Sequence, residues 1–389
     1  MLTDRIGRIT PSATLAMTAK AADLRNSGID VINLSVGEPD FPTPLNIREA
    51  AKFAIDNGHT RYTPGGGTKD LKEAIIKKLQ RDNNLEYSPS QILVSCGGKH
   101  SLYNACQALF QSGDEVIIFS PYWVSFPDFI SVTGAKPIFV GTDPKSQYEP
   151  IMDDLLTKIN SRTKGIIINS PSNPTGGVWS NNAIQLVCEA ANNNNLWIFS
   201  DECYEQLTYD DKFTSTAALI DNKDKILTFQ SCSKTYAMTG WRIGYTAGDE
   251  NLIKAMGKLQ GQSTSCPNSI AQHAAIEALS GDQSEIINMR STFKKRRDYI
   301  VDKLNTMDGV FCDKPGGAFY VFPDFSHYIG RGYIKSSNDL SMRFLKEKAV
   351  VTVAGAAFGS DHNIRLSYAA SDKDLEKAMN LIEEALKEL

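Results

Sequence analysis

Short apolar runs alternate with helical stretches from residue 92 to residue 229, and this alternation constrains the fold most strongly. The strand-like runs are Ile92–Ser95, Glu115–Phe119, Lys136–Val140, Gly165–Asn169, Leu196–Ser200 and Lys225–Phe229. Helical stretches such as His100–Phe110 and Ala183–Ala191 separate most of them. Strands that read as continuous apolar runs are buried on both faces, as they are when helices cover a parallel sheet. The pattern therefore predicts an α/β fold with a mostly parallel sheet.

Polar clusters follow most of these runs at their carboxyl ends. The clusters are Gly97-Gly-Lys99, Pro121-Tyr-Trp123, Ser170 to Gly176, Asp201 to Tyr204 and Ser231 to Lys234. Open α/β sheets bind ligands beyond the carboxyl ends of their strands. We therefore expect these clusters to converge on one binding site.

The segment from Ser231 to Gly244 carries the most chemistry, since it combines hydroxyls with Lys234 and Arg242. A desolvated lysine amine can form a Schiff base with a carbonyl cofactor. Hydroxyls and a guanidinium suit a phosphate group. A lysine beside a phosphate pocket is what pyridoxal 5′-phosphate (PLP) requires.

Two other interpretations of this segment stay open at this point. Single Lys and Arg residues in a loop are more often solvated surface charges. Ser231-x-x-Lys234 also matches the motif of serine acyl-enzymes such as β-lactamases, although their partner motifs Ser-Asp-Asn and Lys-Thr-Gly are absent from this sequence.

Composition excludes several classes of protein. The net charge of −4 is not typical of a nucleic-acid binder, and no apolar run approaches the length of a membrane helix. The seven cysteines include no Cys-x-x-Cys pair, and the N-terminal segment lacks the apolar core of a secretory signal. We therefore expect a cytoplasmic protein with reduced thiols, without a metal site, a nucleic-acid partner or a membrane partner.

The chain of 389 residues is long enough for two domains. After about residue 285 the pattern changes to a long charged helix, Ser284–Thr306, then short strand-like runs and a closing helix, Lys373–Leu389. We expect an irregular arm over 1–14 and a large cofactor-binding domain over 46–285. The residues 15–45 and 286–389 are expected to form a smaller α+β domain.

Single residues at the predicted site each have two interpretations. Asp201 ends a buried run, where a carboxylate either pairs with a cationic ring nitrogen or caps a helix. Arg365 lies in a strand-like run and either binds an anion or faces solvent. Trp123 either stacks on a ring or belongs to the core, and Gly98-Lys99 alone indicates only a turn from strand to helix.

Several motifs together resemble the class I and II aminotransferases of PLP fold type I, in that family's order from about Arg8 to the C-terminus. They are Ser-x-Ser-Lys with Thr-Gly-Trp-Arg-Ile-Gly, Ser-Pro-x-Asn-Pro-Thr-Gly, Ser-Asp-Glu-x-Tyr-Glu, Ser-Pro-Tyr-Trp-Val-Ser and Asn-Ile-Arg-Leu-Ser-Tyr-Ala. The nearest subgroup is the bacterial-type aspartate aminotransferases. The resemblance implies a large domain with a seven-stranded, mostly parallel sheet.

The resemblance also implies a role for each site residue. Lys234 would hold PLP covalently and shuttle the proton, Asp201 would pair with the ring nitrogen, and Tyr204 and Asn173 would hold the ring oxygen. Trp123 would stack on the ring and border the substrate. The phosphate would be bound by the backbone of Gly98 and Lys99, by Ser231 and Arg242, and by Tyr62 of a neighbouring subunit, which implies a homodimer with shared sites. Ser233 would also bind the cofactor.

The implied reaction converts L-aspartate and 2-oxoglutarate into oxaloacetate and L-glutamate. Arg365 would bind the α-carboxylate with Asn173 and the backbone near Gly37, while the Lys99 side chain would meet the distal carboxylate. Some family members that also use prephenate carry a basic residue where this chain has Thr10, although Arg8 is near that position. The alternatives are an aminotransferase for an aromatic amino acid, alanine or prephenate, a PLP-dependent β-lyase, and a non-catalytic PLP-binding regulator. No helix-turn-helix extension or basic tail supports the last.

Overall fold

A computed structural model of the chain describes residues 2–11 and 13–389. The helices are α1 (Asp4–Gly7), α2 (Ala13–Asn26), α3 (Leu45–Asp56), α4 (Lys69–Asn83), α5 (Gly98–Leu109), α6 (Ser125–Ser131), α7 (Met152–Lys158), α8 (Asn181–Asn193), α9 (Cys232–Thr235), α10 (Glu250–Ser263), α11 (Ser269–Ser280), α12 (Ser284–Asn305), α13 (Ser337–Lys348) and α14 (Asp372–Lys387). None of the helices within these residues is long and apolar enough to cross a membrane.

The strands form one large sheet and two small ones. They are β1 (Ile32–Asn33), β2 (Ile92–Ser95), β3 (Glu115–Ser120), β4 (Lys136–Asp143), β5 (Glu149–Pro150), β6 (Thr163–Asn169), β7 (Trp197–Asp201), β8 (Ile226–Ser231), β9 (Gly244–Ala247), β10 (Tyr320–Val321), β11 (Val350–Val351), β12 (Val353–Ala354) and β13 (Ile364–Ser367). The large sheet has the order β2-β9-β8-β7-β6-β3-β4-β5. The predicted α/β class is confirmed.

The large sheet is parallel from β4 through β3, β6 and β7 to β8. The strand β9 runs antiparallel to both β8 and β2. The expected count of seven strands is wrong, because β5 adds an eighth, antiparallel strand beside β4. The chain reverses there through Gln147 and Tyr148, which both have left-handed backbone conformations.

Side chains of the central strands alternate between two apolar layers. Ile117, Ile166 and Ile198 belong to one cluster of buried residues. Val116, Ile167 and Phe199 belong to another, which the α5 side chains Leu102 and Cys106 also join. Because successive side chains of a strand point to opposite faces, continuous apolar runs fill both layers. The carboxyl ends of the strands are left as the edge where polar residues can gather.

The remaining strands form the two small sheets. The strand β1 pairs in parallel with β11, and β13 lies between β10 and β12 with antiparallel pairing. A third apolar cluster joins residues of β1, α12, β10, β13 and α14. The pairing of β1 with β11 brings together the segments expected to form the smaller domain. The domain boundaries themselves stay a prediction.

The arm expected to be irregular over 1–14 contains the one-turn helix α1, and α2 begins at Ala13. Met1 and Ser12 of that arm lie outside the described residues. Most expected strands and helices are present, with ends shifted by one to three residues. The apolar pattern of the sequence does not predict β9, because Gly244–Ala247 is short and contains a glycine and a threonine.

Candidate active site

A cavity of about 260 Å³ lies at the carboxyl ends of β6, β7 and β8. The predicted site residues that line it are Gly37, Gly98, Lys99, Trp123, Asn173, Asp201, Tyr204, Ser231, Ser233, Lys234, Arg242 and Arg365. Tyr62 is the exception, since it is 91% exposed and does not border the cavity. The polar clusters therefore converge at one sheet edge, as the strand order requires.

Lys234 lies in the short helix α9, directly after β8. Its Nζ donates to the carbonyl oxygen of Gly37 at 2.5 Å. Burial lowers the pKa of the amine to about 8, although the nearby Cys203 and Glu38 act in the opposite direction. About a tenth of the amine is therefore uncharged at pH 7, far more than for an ordinary lysine, and the uncharged amine is the nucleophilic form.

Asp201 is the last residue of β7 and is buried. Burial raises the pKa of its carboxyl to about 6, while the Cys203 thiol, the Cys203 backbone and Lys234 lower it. The Cys203 N–H donates to Asp201 Oδ1 at 3.2 Å. The backbone oxygen of Asp201 accepts from Asn169 Nδ2 at 3.2 Å, which fixes the end of β7. A buried carboxylate in this position suits a cationic N–H partner.

An anion cradle, formed by Gly97, Gly98, Ser231, Ser233 and Arg242, lies between β2 and β8. The helix α5 begins at Gly98, so its free backbone N–H groups point toward this region. Ser231 Oγ donates to Ser233 Oγ at 2.9 Å and to the Ile243 carbonyl at 3.2 Å. Arg242 donates to the Thr239 carbonyl at 2.9 Å. Hydroxyls, amides and a guanidinium together suit a phosphate.

The cradle depends on the absence of a side chain at Gly97. The backbone of Gly97 has a φ of +90°, and a Cβ there would overlap the guanidinium of Arg242. Arg242 itself has a left-handed conformation with a φ of 59°, which turns the chain from a one-turn helical segment into β9. The glycine therefore sets where the guanidinium can lie.

Trp123 and Lys99 form another wall of the cavity. The Lys99 Nζ lies 4.9 Å from the centroid of the Trp123 ring. The indole packs edge-on against Phe126 and Phe129. Burial and the charge of Arg242 lower the pKa of Lys99, while Asp128 raises it. Lys99 forms no ion pair within the described part of the chain, so its charge is available to a ligand.

Arg365 is 2% exposed, and its guanidinium is held on one side of the cavity. Its Nη1 donates to Asn173 Oδ1 at 2.9 Å and its Nη2 to the Ser35 carbonyl at 2.7 Å. Its Nε is buried without a hydrogen-bond partner among the described residues. Burial lowers the pKa of this group. A buried guanidinium without a carboxylate partner is suited to an anionic ligand.

Five further residues line the cavity that the sequence did not single out, namely Leu102, Val124, Asn169, Cys203 and Tyr320. Asn169 ends the predicted strand Gly165–Asn169, so the rule about carboxyl ends could have found it. Asn169 Oδ1 accepts from the backbone of Asn173 at 2.9 Å. Tyr320 lies in β10, far along the chain from the other cavity residues of the large sheet. Nothing in its surrounding sequence, Gly-Gly-Ala-Phe-Tyr, indicates a binding site.

The alternative of a serine acyl-enzyme finds little support in the hydrogen bonds. Ser231 Oγ donates to Ser233 and Ile243, whereas Lys234 Nζ donates to Gly37. Such an enzyme needs a base that is hydrogen-bonded to its nucleophile, and Ser231 and Lys234 do not form that hydrogen bond.

No group of three or more His, Cys, Asp or Glu residues suited to a metal ion occurs within residues 2–11 and 13–389.

The donor set fits PLP on three structural observations. The cradle offers amides, hydroxyls and Arg242 to a phosphate. Asp201 offers a buried carboxylate to a protonated ring nitrogen. Lys234 offers an amine whose pKa burial lowers to about 8. These are the three groups that a phosphorylated pyridine aldehyde requires.

The chain is similar to known proteins over almost its whole length. The family model described as "Aminotransferase class I and II" matches residues 29–382. The chain is 47% identical over 385 residues to the aspartate/prephenate aminotransferase of Cereibacter sphaeroides. The aligned region covers 97% of this chain and 96% of that relative.

Two solved structures are similar over their full length. The aspartate aminotransferase from Rhizobium meliloti has a TM-score of 0.95 and 39% identity, covering 100% of this chain and 99% of that one. The aspartate aminotransferase from Thermus thermophilus with maleate also has a TM-score of 0.95, with 37% identity and 99% of each chain covered. This chain therefore belongs to the class I and II aminotransferase family and is a PLP-dependent aminotransferase.

Proposed function

We propose that this enzyme transfers the amino group of L-aspartate to 2-oxoglutarate. One observation carries the choice of dicarboxylic substrates. Three cationic side chains besides Lys234 line the cavity, namely Lys99, Arg242 and Arg365, and none forms an ion pair within the described residues. A phosphate and the two carboxylates of aspartate supply three anionic groups for these three cations. The relatives named above are aspartate or aspartate/prephenate aminotransferases, which supports the same choice.

Each cation is assigned by its surroundings. Arg242 belongs to the anion cradle and would hold the phosphate. Arg365 is buried beside Asn173 and would bind the substrate α-carboxylate, using its planar donor groups. Lys99 lies at the Trp123 wall and would bind the distal carboxylate with its side chain. The Gly37 backbone and the Trp123 ring would border the same substrate.

When bound, PLP supplies an electron sink for the negative charge that develops at the substrate Cα. Asp201 would keep a ring nitrogen protonated, and Tyr204 with Asn173 would hold the ring oxygen. Gly98, Ser231 and Ser233 would complete the phosphate contacts. Lys234 would hold the cofactor and then accept and return the proton at the substrate Cα, a role that suits an amine with a pKa near 8.

Lys99→Met tests the substrate assignment in this chain. Loss of a charged hydrogen bond to the distal carboxylate should reduce kcat/KM for L-aspartate by about 10- to 100-fold. L-alanine has no distal carboxylate, so its kcat/KM should change less than about 3-fold. Steady-state assays with 2-oxoglutarate as acceptor measure both values. Equal losses for the two donors would contradict the role of Lys99.

The wild-type enzyme should prefer L-aspartate over alanine and aromatic amino acids in the same assay. Thr10 donates its N–H and hydroxyl to Asp128 and offers no positive charge, so prephenate should be a poor acceptor. Release of ammonia and pyruvate from a β-substituted amino acid, without any 2-oxo acid, would instead favour the β-lyase alternative. A wild-type enzyme for which aspartate is a poor donor would refute the proposal.

We further propose a homodimer with shared sites and a cytoplasmic location. Tyr62 is 91% exposed although it carries a large ring, and α3 exposes the apolar side chains Leu45, Phe53 and Ile55. Large exposed apolar side chains are groups that a subunit interface would cover. Tyr62 would then reach the phosphate of the neighbouring subunit. All seven cysteines lie in the described residues as free thiols, which agrees with a reducing compartment.

A further inference from the structure

Tyr320 contacts residues from both halves of the proposed site. It is the first residue of β10, is fully buried and lines the cavity. Its hydroxyl lies 2.9 Å from the hydroxyl of Tyr204. Its ring faces Arg365, with 4.6 Å between the guanidinium carbon and the ring centroid. It therefore joins a proposed cofactor ligand to the proposed carboxylate ligand.

The position of Tyr320 is fixed by its backbone and its surroundings. Its backbone pairs with Ser367 in the register between β10 and β13. A Cβ added at Gly176 would lie 2.8 Å from the Tyr320 carbonyl oxygen, and one added at Gly37 would lie 3.2 Å from the hydroxyl. The Tyr320 ring also packs against the rings of Phe319 and Tyr204, with centroid distances of 4.7 and 5.8 Å, so the contact between the two hydroxyls is held in place.

The two hydroxyls must divide two protons between them. Each tyrosine hydroxyl donates one hydrogen bond and can accept others. If Tyr204 donates to Tyr320, no Tyr204 proton is left for an oxygen of the cofactor. If Tyr320 donates to Tyr204, the Tyr204 proton is free to point into the cavity. Only the second arrangement lets Tyr204 serve as a cofactor ligand through its proton.

The charge of Arg365 favours that second arrangement. Burial raises the pKa of Tyr320, and the adjacent guanidinium of Arg365 opposes this rise more strongly than any other group does. Burial, Tyr320 and Cys203 raise the pKa of Tyr204 well above its usual range, and Arg365 opposes this rise only as the smallest of the causes. Tyr320 is therefore the more acidic of the two phenols and the better donor.

We propose that Tyr320 is a positioning residue that donates its proton to Tyr204 and thereby leaves the Tyr204 proton for the phenolic oxygen of the cofactor. The inference rests on the proposed function only through the assignment of Tyr204 to that oxygen. It does not depend on which amino acid is the donor.

A double-mutant cycle with Tyr320→Phe and Tyr204→Phe tests the proposal, with PLP affinity of the cofactor-free full-length chain as the readout. Tyr320→Phe keeps the ring over Arg365 and removes only the donor. Without the Tyr320 donor, the Tyr204 hydroxyl is no longer oriented with its proton toward the cofactor, so its hydrogen bond to the phenolic oxygen should weaken. The Kd for PLP should therefore rise by about 2- to 10-fold, at most the worth of one net hydrogen bond, and the visible absorption maximum of the bound cofactor should shift. In the Tyr204→Phe background the same substitution should change the Kd by less than about 2-fold.

Tyr328→Phe is the matched control, because Tyr328 is a buried tyrosine outside the cavity whose hydroxyl also forms a hydrogen bond. Its Kd for PLP should equal that of the wild type. An unchanged Kd in Tyr320→Phe would overturn the proposal. An equal or larger increase in both backgrounds would also overturn it, because the effect would then not act through Tyr204.

The outcomes separate this inference from the proposed function. A wild-type enzyme that binds PLP and prefers a donor other than aspartate would refute the proposed substrate, yet the cycle would still report on Tyr320. If the wild-type enzyme prefers aspartate but the effects of Tyr320→Phe and Tyr204→Phe on the Kd for PLP are additive, only the role of Tyr320 is refuted.

Discussion

Asp201 shows at the scale of one residue how a site for a cation is prepared. Its carboxyl is buried, and burial raises its pKa to about 6 despite the nearby Lys234. The charged form is therefore disfavoured in the folded chain until a cationic group binds. We expect the cofactor-free protein to be destabilised by this charge, as ligand sites often are.

Asp201→Asn should make the cofactor-free chain more stable and the enzyme nearly inactive. The pKa of Asp201 in the folded chain lies above the unfolded value of 3.8. Its negative charge therefore lowers the free energy of unfolding by the full amount above pH 6, and by less and less as the pH falls toward 4. The gain at pH 8 should be at most about 3 kcal/mol. Urea unfolding at pH 8 and pH 4 measures it, with the exposed Asp56→Asn as control. A loss of stability at pH 8 would contradict this account.

Most site residues that the sequence identified belong to a motif at the end of a predicted strand or to a family motif. Lys234, Asp201 and Arg365 could be found in this way. Tyr320 could not, because its importance comes from neighbours that only the fold supplies, and Cys203 was placed in a predicted cluster without a role of its own. Cys203 reaches the cavity because its backbone bonds the Asp201 carboxylate.

At the scale of elements, the anion cradle depends on how α5 begins. Gly97→Ala should push the Arg242 guanidinium out of place, because the new Cβ would overlap it. We expect the Kd for PLP to rise by about 10-fold or more, through loss of a charged hydrogen bond. Gly113→Ala is the control, since Gly113 has a similar φ of +96° and open space around it. Equal effects on PLP affinity in both variants would rule out the Arg242 mechanism.

A buried polar network fixes the ends of β7 and β8 below the cavity. Lys78 of α4 donates to Glu205, and to Asn83 and Gln230 at 2.8 and 2.7 Å. Gln230 in turn donates to Glu202 at 3.1 Å. Burial, with the charge of Glu205, raises the pKa of Glu202 to about 7, although hydrogen bonds from Ser215, Gln230 and Ser200 oppose this. The network therefore holds two buried carboxylates with one cation.

Lys78→Met should leave Glu205 without its cation and lower the free energy of unfolding by about 3–5 kcal/mol. Lys77→Met, at the exposed neighbouring position of α4, should change it by less than about 0.5 kcal/mol. Adding Glu205→Gln to Lys78→Met should recover part of the loss. Denaturant unfolding measures all three variants. Similar stability of the Lys78 and Lys77 variants would refute the importance of this network.

Strand order shows what could and could not be predicted at this scale. The parallel core followed from apolar runs, because two covered faces require them. The edge strand β5 did not, since a two-residue strand such as Glu149–Pro150 carries no periodicity. The pairing of β5 with β4 depends on the chain reversal at Gln147 and Tyr148, and no pattern of apolar residues marks that reversal.

At the scale of the whole molecule, the proposed homodimer makes each cofactor site depend on assembly. Light scattering should give twice the chain mass of 42.8 kDa. Tyr62→Phe should raise the Kd for PLP by about 2- to 10-fold, through loss of one phosphate contact. Tyr299→Phe, at another exposed tyrosine, should leave it unchanged. A monomer with full PLP affinity and full activity would contradict shared sites.

The visible absorption spectrum of the purified enzyme tests the central claim most directly. We predict an absorption band of PLP bound to Lys234 that L-aspartate alone abolishes and that 2-oxoglutarate then restores. Lys234→Ala should lack both the covalent band and turnover. A wild-type band that does not respond to aspartate would contradict the proposed donor. Absence of any band, even after PLP is added, would contradict the assignment of Lys234 and of the site as a whole.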